Sequence, residues 1–405
     1  METKTTAQTQ TPNETQLFSK LRQIRTSLAS LVVGRGAEID GALVGLVTGE
    51  PVLMVGPPGT AKTLLVELLS RHIGAKYFYY LLNRFTEPDE LLGPIDVVAL
   101  TKGERRRIVT NRLPDAHIVF LDEIFKASSA IRNILLDIIL NKRFYDNGNY
   151  VKLPIIAMYF ASNEVSYDAE DAAFFDRMTI KLWPQYVSNE FLEELIIKGV
   201  SVSVNGAASQ IMSLEEIQLL QSIIREMAVR IVKLINFEKM KNVIKDLNIA
   251  ASDRTLVKSI FIAAGVCIVY GMDCTNKDAV MDALIEALTL VGPRSYEEYK
   301  EITSKALQHY SWWEKAKELR GLVSDFRVVV DQLSSLKFSV DASSAEYQTA
   351  RELLRRAEDI GAQLETLAKT LPKNRHVEES VREAARLIKR YTEIKKKIAS
   401  IVSEA

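Results

Sequence analysis

Hydrophobic residues in the first half of the chain form short continuous runs, separated by segments with helical periodicity. The runs lie at residues 51–55, 76–82, 117–121, 154–161 and 178–182. Continuous apolar runs of this length are typical of strands that are buried on both faces of a sheet. Because the runs alternate with helical segments, we predict an α/β fold with a parallel β-sheet core and flanking helices.

The pattern changes after Trp183-Pro184, where the strand-like runs end. The spacing of apolar residues is then mostly helical, as in LEEIQLLQSIIREMAVRIVKLI at 214–235, although VSVSVNG at 200–206 could be a short strand or a loop. Nearer the C-terminus, apolar residues alternate spacings of four and three, which is the pattern of a coiled-coil seam. That seam consists of Leu353, Ala357, Ile360, Leu364, Leu367 and Leu371.

These patterns predict four parts of the chain. Residues 1–16 are polar and are expected to be disordered, and 17–187 form the α/β core. Residues 188–303 form an all-α domain, and 304–405 form a C-terminal α-helical, coiled-coil-like bundle. The bundle would serve either as a rigid spacer or oligomer contact, or as a dedicated docking arm.

Charge and cysteine content narrow the functional classes. Lys plus Arg and Asp plus Glu number 52 each in 405 residues, so no global field attracts nucleic acid or anionic lipid. Cys267 and Cys274 are too few and wrongly spaced for a disulfide framework or a zinc knuckle. The first residues lack a hydrophobic signal region, and the longest apolar run is too short to span a membrane. A cytoplasmic, reducing location without a membrane span is therefore expected.

The stretch VLMVGPPGTAKTLL, at 52–65, has the order strand, glycine-rich turn, helix start. Backbone N–H groups at such a helix N-terminus point at a phosphate. Lys62 would reach the β- and γ-phosphates, and the Thr63 hydroxyl would hold Mg²⁺. Ala61 replaces the second glycine of the pattern G-x-x-x-x-G-K-[ST]. We expect Ala61 to adopt right-handed helical geometry, in which alanine is tolerated.

Further polar residues follow the predicted strands. In HIVFLDEI the apolar strand ends in Asp122 and Glu123. This position would put one carboxylate near Mg²⁺ and the other near the attacking water. In PIIAMYFASNE the strand ends at Asn163, whose neutral amide is suited to orienting that water. Arg177 precedes another strand, and Arg254 lies in the first turn of a predicted helix, where a cation opposes the helix dipole and suggests a phosphate partner. Each arginine alone is more typical of a solvated surface residue than of a site.

Together these segments resemble the AAA+ ATPases, more closely the MoxR family, and most strongly its RavA-like members. The resemblance covers residues 33–296 and is carried by VGPPGTAKT, NRFTEPDELLGPID, IVFLDEIFKASSAIRNILL, ASNE, FFDRM and SDR. An alanine before the lysine is usual in MoxR-type loops. The last hundred residues fit less well, since RavA-like proteins carry extra helical and β elements there and only helices are predicted here.

The resemblance implies an ATPase that uses ATP and Mg²⁺. It assigns Asp122 with Glu123 to the Walker B motif, Asn163 to the first sensor, Arg177 to the arginine finger and Arg254 to the second sensor. Magnesium would be held by Thr63 and Asp122. The nucleotide-binding residues would be Val33, Gly34, Gly56, Pro57, Gly59, Thr60, Ala61, Lys62, Thr63 and Leu64.

Two insertions are implied as well, and both are expected to be hairpins. VVALTKGERRRIV, at 97–109, would turn at Lys102-Gly103, and RFYDNGNYVKL, at 143–153, would turn at Asn147-Gly148 with type I′ geometry. In related rings such hairpins face the central channel. Either the hairpins contact a substrate through Phe144, Tyr145 and Tyr150 or through the arginines at 105–107, or these aromatic residues only pack the hairpin.

The implied function is a chaperone-like remodelling ATPase that acts as a homo-oligomer, a hexameric ring by family resemblance, with Arg177 acting in trans. ATP hydrolysis would move the all-α domain, the lid of the resemblance, against the sheet. The implied partners are a protein client and a protein that carries a von Willebrand A domain. The alternative is a nucleic-acid motor that uses basic hairpins, favoured only by ERRRIV and opposed by zero net charge. A non-catalytic scaffold conflicts with the complete set of catalytic residues.

Overall fold

The structure is a computed structural model that describes residues 13–165, 174–205, 209–250, 252–336, 344–372, 374 and 376–404. The chain divides into two compact units between Ala306 and Leu307, three residues beyond the predicted boundary. Most of the segment predicted to be disordered lies outside the described residues. Residues 14–16 differ from the prediction, because helix α1 begins at Glu14 and the Asn13 side chain caps it.

The first unit is built on a parallel sheet, which confirms the predicted fold class. The described strands are β1 Val52–Val55, β2 Tyr77–Leu81, β3 Ile118–Asp122, β4 Arg143–Asp146, β5 Asn149–Lys152, β6 Ala157–Ser162 and β7 Ile180–Leu182. The sheet has the order β2-β3-β6-β1-β7, with every neighbouring pair parallel. Strands β4 and β5 form a separate antiparallel pair.

Helices cover both faces of the sheet. Those described in the first unit are α1 Glu14–Leu31, α2 Gly36–Thr48, α3 Lys62–His72, α4 Pro88–Leu92, α5 Val97–Leu100, α6 Ser129–Asn141, α7 Leu192–Asn205, α8 Leu214–Val232, α9 Phe237–Asp246, α10 Asp253–Tyr270, α11 Lys277–Val291 and α12 Tyr296–Ala306. Helix α7 therefore includes residues 200–205, for which a strand or loop was considered.

Alternate side chains of the central strands enter two hydrophobic cores. Leu121 and Phe160 join the core beneath α4 and α6, whereas Phe120 and Tyr159 join the core formed with α1, α2, α3, α8, α10 and α11. Helix α10 approaches α2 so closely that a Cβ on Gly265 would lie 2.6 Å from Cγ2 of Thr48. Helices from the predicted all-α domain thus share one core with the sheet, and the division into units places no boundary at 187–188.

The two cysteines form a disulfide, contrary to the expectation from their spacing. Cys267 and Cys274 are joined with a Cα–Cα distance of 6.1 Å. Seven residues along a continuous helix would separate them by about 10 Å. Helix α10 instead ends at Tyr270, and Gly271 takes the left-handed conformation that turns the chain back. The cysteines therefore do not support the inference of a reducing compartment, and the cytoplasmic location stays a prediction.

The two insertions differ in structure. Strands β4 and β5 form the predicted hairpin, with positive φ at Asn147 and Gly148 as a type I′ turn requires. The hairpin predicted around 97–109 is wrong in its first arm, because α5 forms there, although the chain does turn at Lys102-Gly103. Asp96 caps this helical turn by accepting from the Ala99 N–H at 3.1 Å. Only its base pairs as a hairpin does, through an antiparallel bridge between Ile95 and Arg107.

Arg107 ties these insertions together. Its guanidinium donates to Asp89 Oδ1 at 2.5 Å, to the Gly93 carbonyl at 2.7 Å and to Asp146 Oδ1 at 3.3 Å, and only 13% of its side chain is exposed. Arg106 in turn pairs with Asp96 at 3.0 Å. Two of the three arginines of ERRRIV are therefore neutralised by neighbouring carboxylates.

The aromatic residues of the hairpin divide between the two predicted roles. Phe144 is buried in the core beneath α6, so it packs the hairpin. Tyr145 and Tyr150 are exposed, and their rings meet edge to face at 5.4 Å.

The second unit is helical throughout its described residues. Its main helices are α13 Trp313–Ser335, α14 Ser344–Thr370 and α15 Glu378–Glu404, and each contacts the other two. Ala357, Leu364 and Leu371 of the predicted seam are buried. Among the described residues of the whole chain, no helix has both the length and the hydrophobicity that crossing a membrane requires.

Candidate nucleotide-binding site

The loop between β1 and α3 depends on two glycines for different reasons. A Cβ on Gly56 would lie 2.0 Å from the Pro184 carbonyl oxygen, so no larger residue fits there. Gly59 has open space around it but a φ of +76°, which side-chain-bearing residues rarely adopt. The backbone thus passes close to the end of β7 and then turns sharply into α3.

Ala61 does not have the expected geometry. It precedes α3 with φ 63° and ψ 23°, in the left-handed region, rather than in the right-handed helical region. An alanine there bears a strain of about 1 to 2 kcal/mol, because its Cβ approaches the following carbonyl oxygen. The position therefore has the conformation that favours the glycine of the strict pattern, and alanine occupies it at a cost.

Lys62 lies beneath the loop. Its Nζ donates to the carbonyl oxygens of Gly56 and Pro57 at 2.7 and 3.1 Å, and to Oδ1 of Asn163 at 3.4 Å. Burial lowers the pKa of this amine, while Asp122 and Glu123 oppose that shift. A phosphate oxygen could replace a loop carbonyl as the acceptor without any change of fold.

The acidic pair ends β3 as predicted from the sequence. Asp122 Oδ1 accepts from the Glu123 N–H at 2.9 Å, and burial raises the pKa of the Asp122 carboxyl group. Glu123 has a φ of 54°, a strained conformation of the kind found at functional sites. Its Oε1 accepts from Asn163 Nδ2 at 2.5 Å and lies 3.2 Å from Lys126 Nζ. Its Oε2 is buried and has no hydrogen-bond partner among the described residues.

These groups line one cleft of about 430 Å³. The lining residues are Pro58, Gly59, Thr60, Ala61, Lys62, Thr63, Leu64, Asp122, Glu123 and Asn163. A cation, a hydroxyl group, two carboxylates and a helix N-terminus thus face one space. These are the groups that a magnesium triphosphate requires, since oxygen ligands suit Mg²⁺ and the helix end suits phosphate. Gly56 and Pro57 contribute by holding Lys62 rather than by lining the cleft.

An adjoining, more apolar cavity of about 380 Å³ shares Gly59, Thr60, Ala61 and Leu64 with the cleft. Val33, predicted to bind nucleotide, is one of its lining residues. Gly34 is not, although its neighbour Val33 and its contact Val187 are; it has φ +69° and a notional Cβ only 2.9 Å from Val187 Cγ1. The sequence analysis missed other lining residues, including Tyr186, Leu195 and Gly199. They come from segments far apart in the chain, so no local motif marks them.

The two predicted arginines lie elsewhere. Neither Arg177 nor Arg254 is among the described residues that line the two cavities. Arg254 lies in the first turn of α10, with its Nη1 at 4.0 Å from Oδ2 of Asp176. Asp176 directly precedes Arg177, so the structure brings the two arginine-bearing segments together and leaves both arginines outside the residues that line the cleft.

Comparisons with known proteins identify the family of this chain. Residues 19–222, just over half of the chain, match the family model described as the MoxR domain in the MoxR-vWA-beta-propeller ternary systems. The protein MJ0079 of Methanocaldococcus jannaschii is 36% identical over 60% of this chain and 64% of its own length. Structural protein ORF618 of Acidianus two-tailed virus is 28% identical over 88% of this chain and 64% of its own length.

Two further similarities concern the family and the fold. Chaperone MoxR1 of Mycobacterium tuberculosis is 29% identical over 48% of this chain and 51% of its own length. The crystal structure of a candidate ATPase from Cytophaga hutchinsonii superposes with a TM-score of 0.55, covering 73% of this chain and 95% of that one at 17% identity, which shows a shared fold. The chain spans less than two thirds of the length of the curated relatives it matches. On the family match, the phosphate loop and the sheet topology, the chain belongs to the MoxR family of AAA+ ATPases.

Proposed function

We propose that this chain is a Mg²⁺-dependent ATPase that works as a ring, by resemblance a hexamer, and uses ATP hydrolysis to remodel or assemble a protein partner. The observation that carries the proposal is the convergence of Lys62, Thr63, Asp122, Glu123 and Asn163 on one cleft beside an apolar cavity. The cleft has the chemistry for a magnesium triphosphate, and the cavity has the character that suits a base. The closer resemblance of this chain to the RavA-like members of the MoxR family stays a prediction.

In the proposed reaction, Thr63 and Asp122 would hold Mg²⁺, which would neutralise charge on the phosphates. Lys62 binds the phosphate oxygens. Glu123 takes a proton from the attacking water through its buried, unpartnered Oε2, because its Oε1 is already engaged by Asn163. Asn163 thus orients Glu123 as well as the water, which extends the role predicted for it.

Arg177 and Arg254 are proposed to act on a neighbouring subunit. Both lie outside the cavities of their own subunit, and Asp176 brings their segments together. In phosphoryl-transfer enzymes an arginine supplied in trans raises the rate by roughly 10³ to 10⁵. Hydrolysis would therefore require adjoining copies of the chain.

The proposed partner is a protein with a von Willebrand A domain, supported by the family description, which names vWA and β-propeller components. The exposed Tyr145 and Tyr150 of the β4–β5 hairpin are candidates for contact with a protein client. The pairing of Arg106 and Arg107 with carboxylates argues against a nucleic-acid motor, because it neutralises two of the three arginines that would contact phosphates.

The test uses the purified full-length chain and its Lys62→Ala and Arg177→Ala variants. We expect Lys62→Ala to lose ATP binding, and Arg177→Ala to bind ATP but not to turn it over. Mixing the two inactive variants should restore part of the turnover, since one supplies the cleft and the other the arginine. A wild-type chain with neither nucleotide affinity nor self-association would overturn the proposal.

A further inference from the structure

Asp176 connects the segment that carries Arg177 with the helix that carries Arg254. Its carboxylate accepts from the Ser252 hydroxyl at 3.1 Å and from the Thr255 hydroxyl at 3.5 Å, besides lying 4.0 Å from the Arg254 guanidinium. Ser252 is also the N-cap of α10. One carboxylate thus contacts the cap and the first turn of the helix, where its negative charge suits the dipole.

A second carboxylate joins the same two elements deeper in the fold. Glu50 is buried, with 7% of its surface exposed. It accepts from the Thr179 hydroxyl at 3.0 Å and pairs with Lys258 through its other oxygen. Thr179 lies two residues after Arg177, and Lys258 lies one helical turn after Arg254. Two independent polar links therefore fix the distance between the arginine-bearing segments.

Lys181 adds contacts between the end of α11 and the residue that precedes Asp176. It is 4% exposed, donates to the Val291 carbonyl at the end of α11 at 2.9 Å, and lies 4.9 Å from the centre of the Phe175 ring. Phe175 directly precedes Asp176. Because α10 also shares the hydrophobic core of the sheet, this part of the helical region has little freedom to move against β7.

We propose that Asp176 is a positioning residue that holds Arg254 beside Arg177, so that a neighbouring subunit receives both arginines as one preset pair. The inference rests on the proposed function, because it assumes that the pair acts in trans. Asp176 itself is not among the described residues that line either cavity. Preset geometry matters here, since a misplacement of about 1 Å can cost about 10²-fold in rate.

The same links make a prediction about motion that differs from the one made from the sequence. A lid that swings as a body against the sheet would have to break the contacts of Asp176 and Glu50. We infer instead that α10 and β7 move together, as one arginine-bearing element, relative to the neighbouring subunit.

The experiment compares Asp176→Ala and Asp176→Asn with Asp273→Asn as a matched control. Asp273 also accepts from a threonine hydroxyl, that of Thr275, but it lies in the turn after α10. We expect Asp176→Ala to lower kcat about 10²-fold, with the Kd for ATP within twofold of wild type. Asp176→Asn should fall between, because its amide oxygen still accepts from Ser252 and Thr255 while the charge facing Arg254 is lost. The control should keep wild-type kcat.

Mixing separates this inference from the proposed function. Asp176→Ala mixed with Lys62→Ala should recover turnover, as Arg177→Ala mixed with Lys62→Ala does. If the Arg177→Ala mixture recovers but the Asp176→Ala mixture does not, Asp176 has a role within its own subunit and the inference fails alone. If neither mixture recovers while the wild type is active, action in trans fails first. Wild-type kcat in both Asp176 variants would also overturn the inference, and Asp176→Asn permits that reading even if Asp176→Ala does not assemble.

Discussion

Asn163 donates a hydrogen bond from its Nδ2 to Oε1 of Glu123 at 2.5 Å. This bond joins the ends of β6 and β3, which are neighbours in the sheet although they lie 40 residues apart in the chain. It occupies one carboxylate oxygen, and the other is buried without a hydrogen-bond partner among the described residues. The acid–base role proposed for Glu123 therefore depends on strand pairing as much as on the residues themselves.

Replacement of Glu123 by glutamine should separate binding from turnover. The amide keeps the shape of the side chain but cannot accept a proton, so we expect kcat to fall by about 10² to 10⁴ while ATP binding is retained. Phosphate release and the binding of a fluorescent ATP analogue would measure the two effects. Glu226→Gln, on the exposed surface of α8, is the control. Rapid hydrolysis by Glu123→Gln would refute its role as the base.

Ala61→Gly should stabilise the loop. Relief of left-handed strain gains about 1 to 2 kcal/mol, and the greater entropy of unfolded glycine takes back about 0.5 to 1. The expected net increase in the free energy of unfolding lies between about 0 and 1.5 kcal/mol, centred on about 0.75 kcal/mol, and chemical denaturation would measure it. Ala61→Val should do the reverse, because a β-branched residue fits this conformation worst. Equal stability of both variants would contradict the observed geometry.

Two buried lysines should make the free energy of unfolding rise with pH under alkaline conditions. Burial lowers the pKa of both Lys142 and Lys181 to about 8. Between that value and the ordinary lysine value of about 10.4, the folded chain has released protons that the unfolded chain still binds, so stability rises. Burial raises the pKa of Tyr159, and this opposes the rise above about pH 10.

The contribution of one lysine can be isolated by substitution. Lys181→Met keeps much of the packing and should remove a rise on the order of 1 to 3 kcal/mol between about pH 8 and 10. Lys102→Met, at an exposed turn, should leave the profile unchanged. Denaturation midpoints at several pH values provide the measurement. If stability depended on pH in the same way for Lys181→Met and the wild type, the lowered pKa of Lys181 would be contradicted.

Reduction of the Cys267–Cys274 disulfide should destabilise the first unit modestly. The bond closes a short loop, and loops of this size contribute about 2 kcal/mol through the entropy of the unfolded chain. Thermal unfolding with and without a reductant measures the effect. Cys274→Ala supplies the control, because its unfolding should not respond to reductant. A wild-type chain that is equally insensitive would indicate that the bond is absent in solution.

Arg107→Ala should loosen the two insertions from each other. Asp146, whose side chain is only 15% exposed, would lose its partner, and hydrogen bonds to charged groups contribute about 1.5 to 3 kcal/mol. Amide exchange at 94–108 and 143–152 should become faster. Arg105→Ala is the matched control, since the Arg105 contact is made by its backbone carbonyl. If the nucleic-acid alternative held, Arg105→Ala would instead weaken salt-dependent DNA binding.

The sequence alone determined the central elements of this fold and the identity of the main site residues. Apolar runs that end in a glycine loop, an acidic pair and an asparagine predict buried parallel strands whose polar ends meet at one edge, and the cleft formed by Lys62, Asp122 and Asn163 follows from that order. The β4–β5 hairpin was equally predictable, because Asn-Gly encodes its turn locally.

Only the tertiary structure decided the rest, since it depends on contacts between distant segments. The cavity lined by Tyr186 and Leu195 and the link from Asp176 to α10 have no local signature. The helical first arm of the first insertion and the disulfide were missed for a related reason. In each case a single capping or turning residue changes the direction of the chain. The periodicity of apolar residues extends over many positions and carries no signal of such a change.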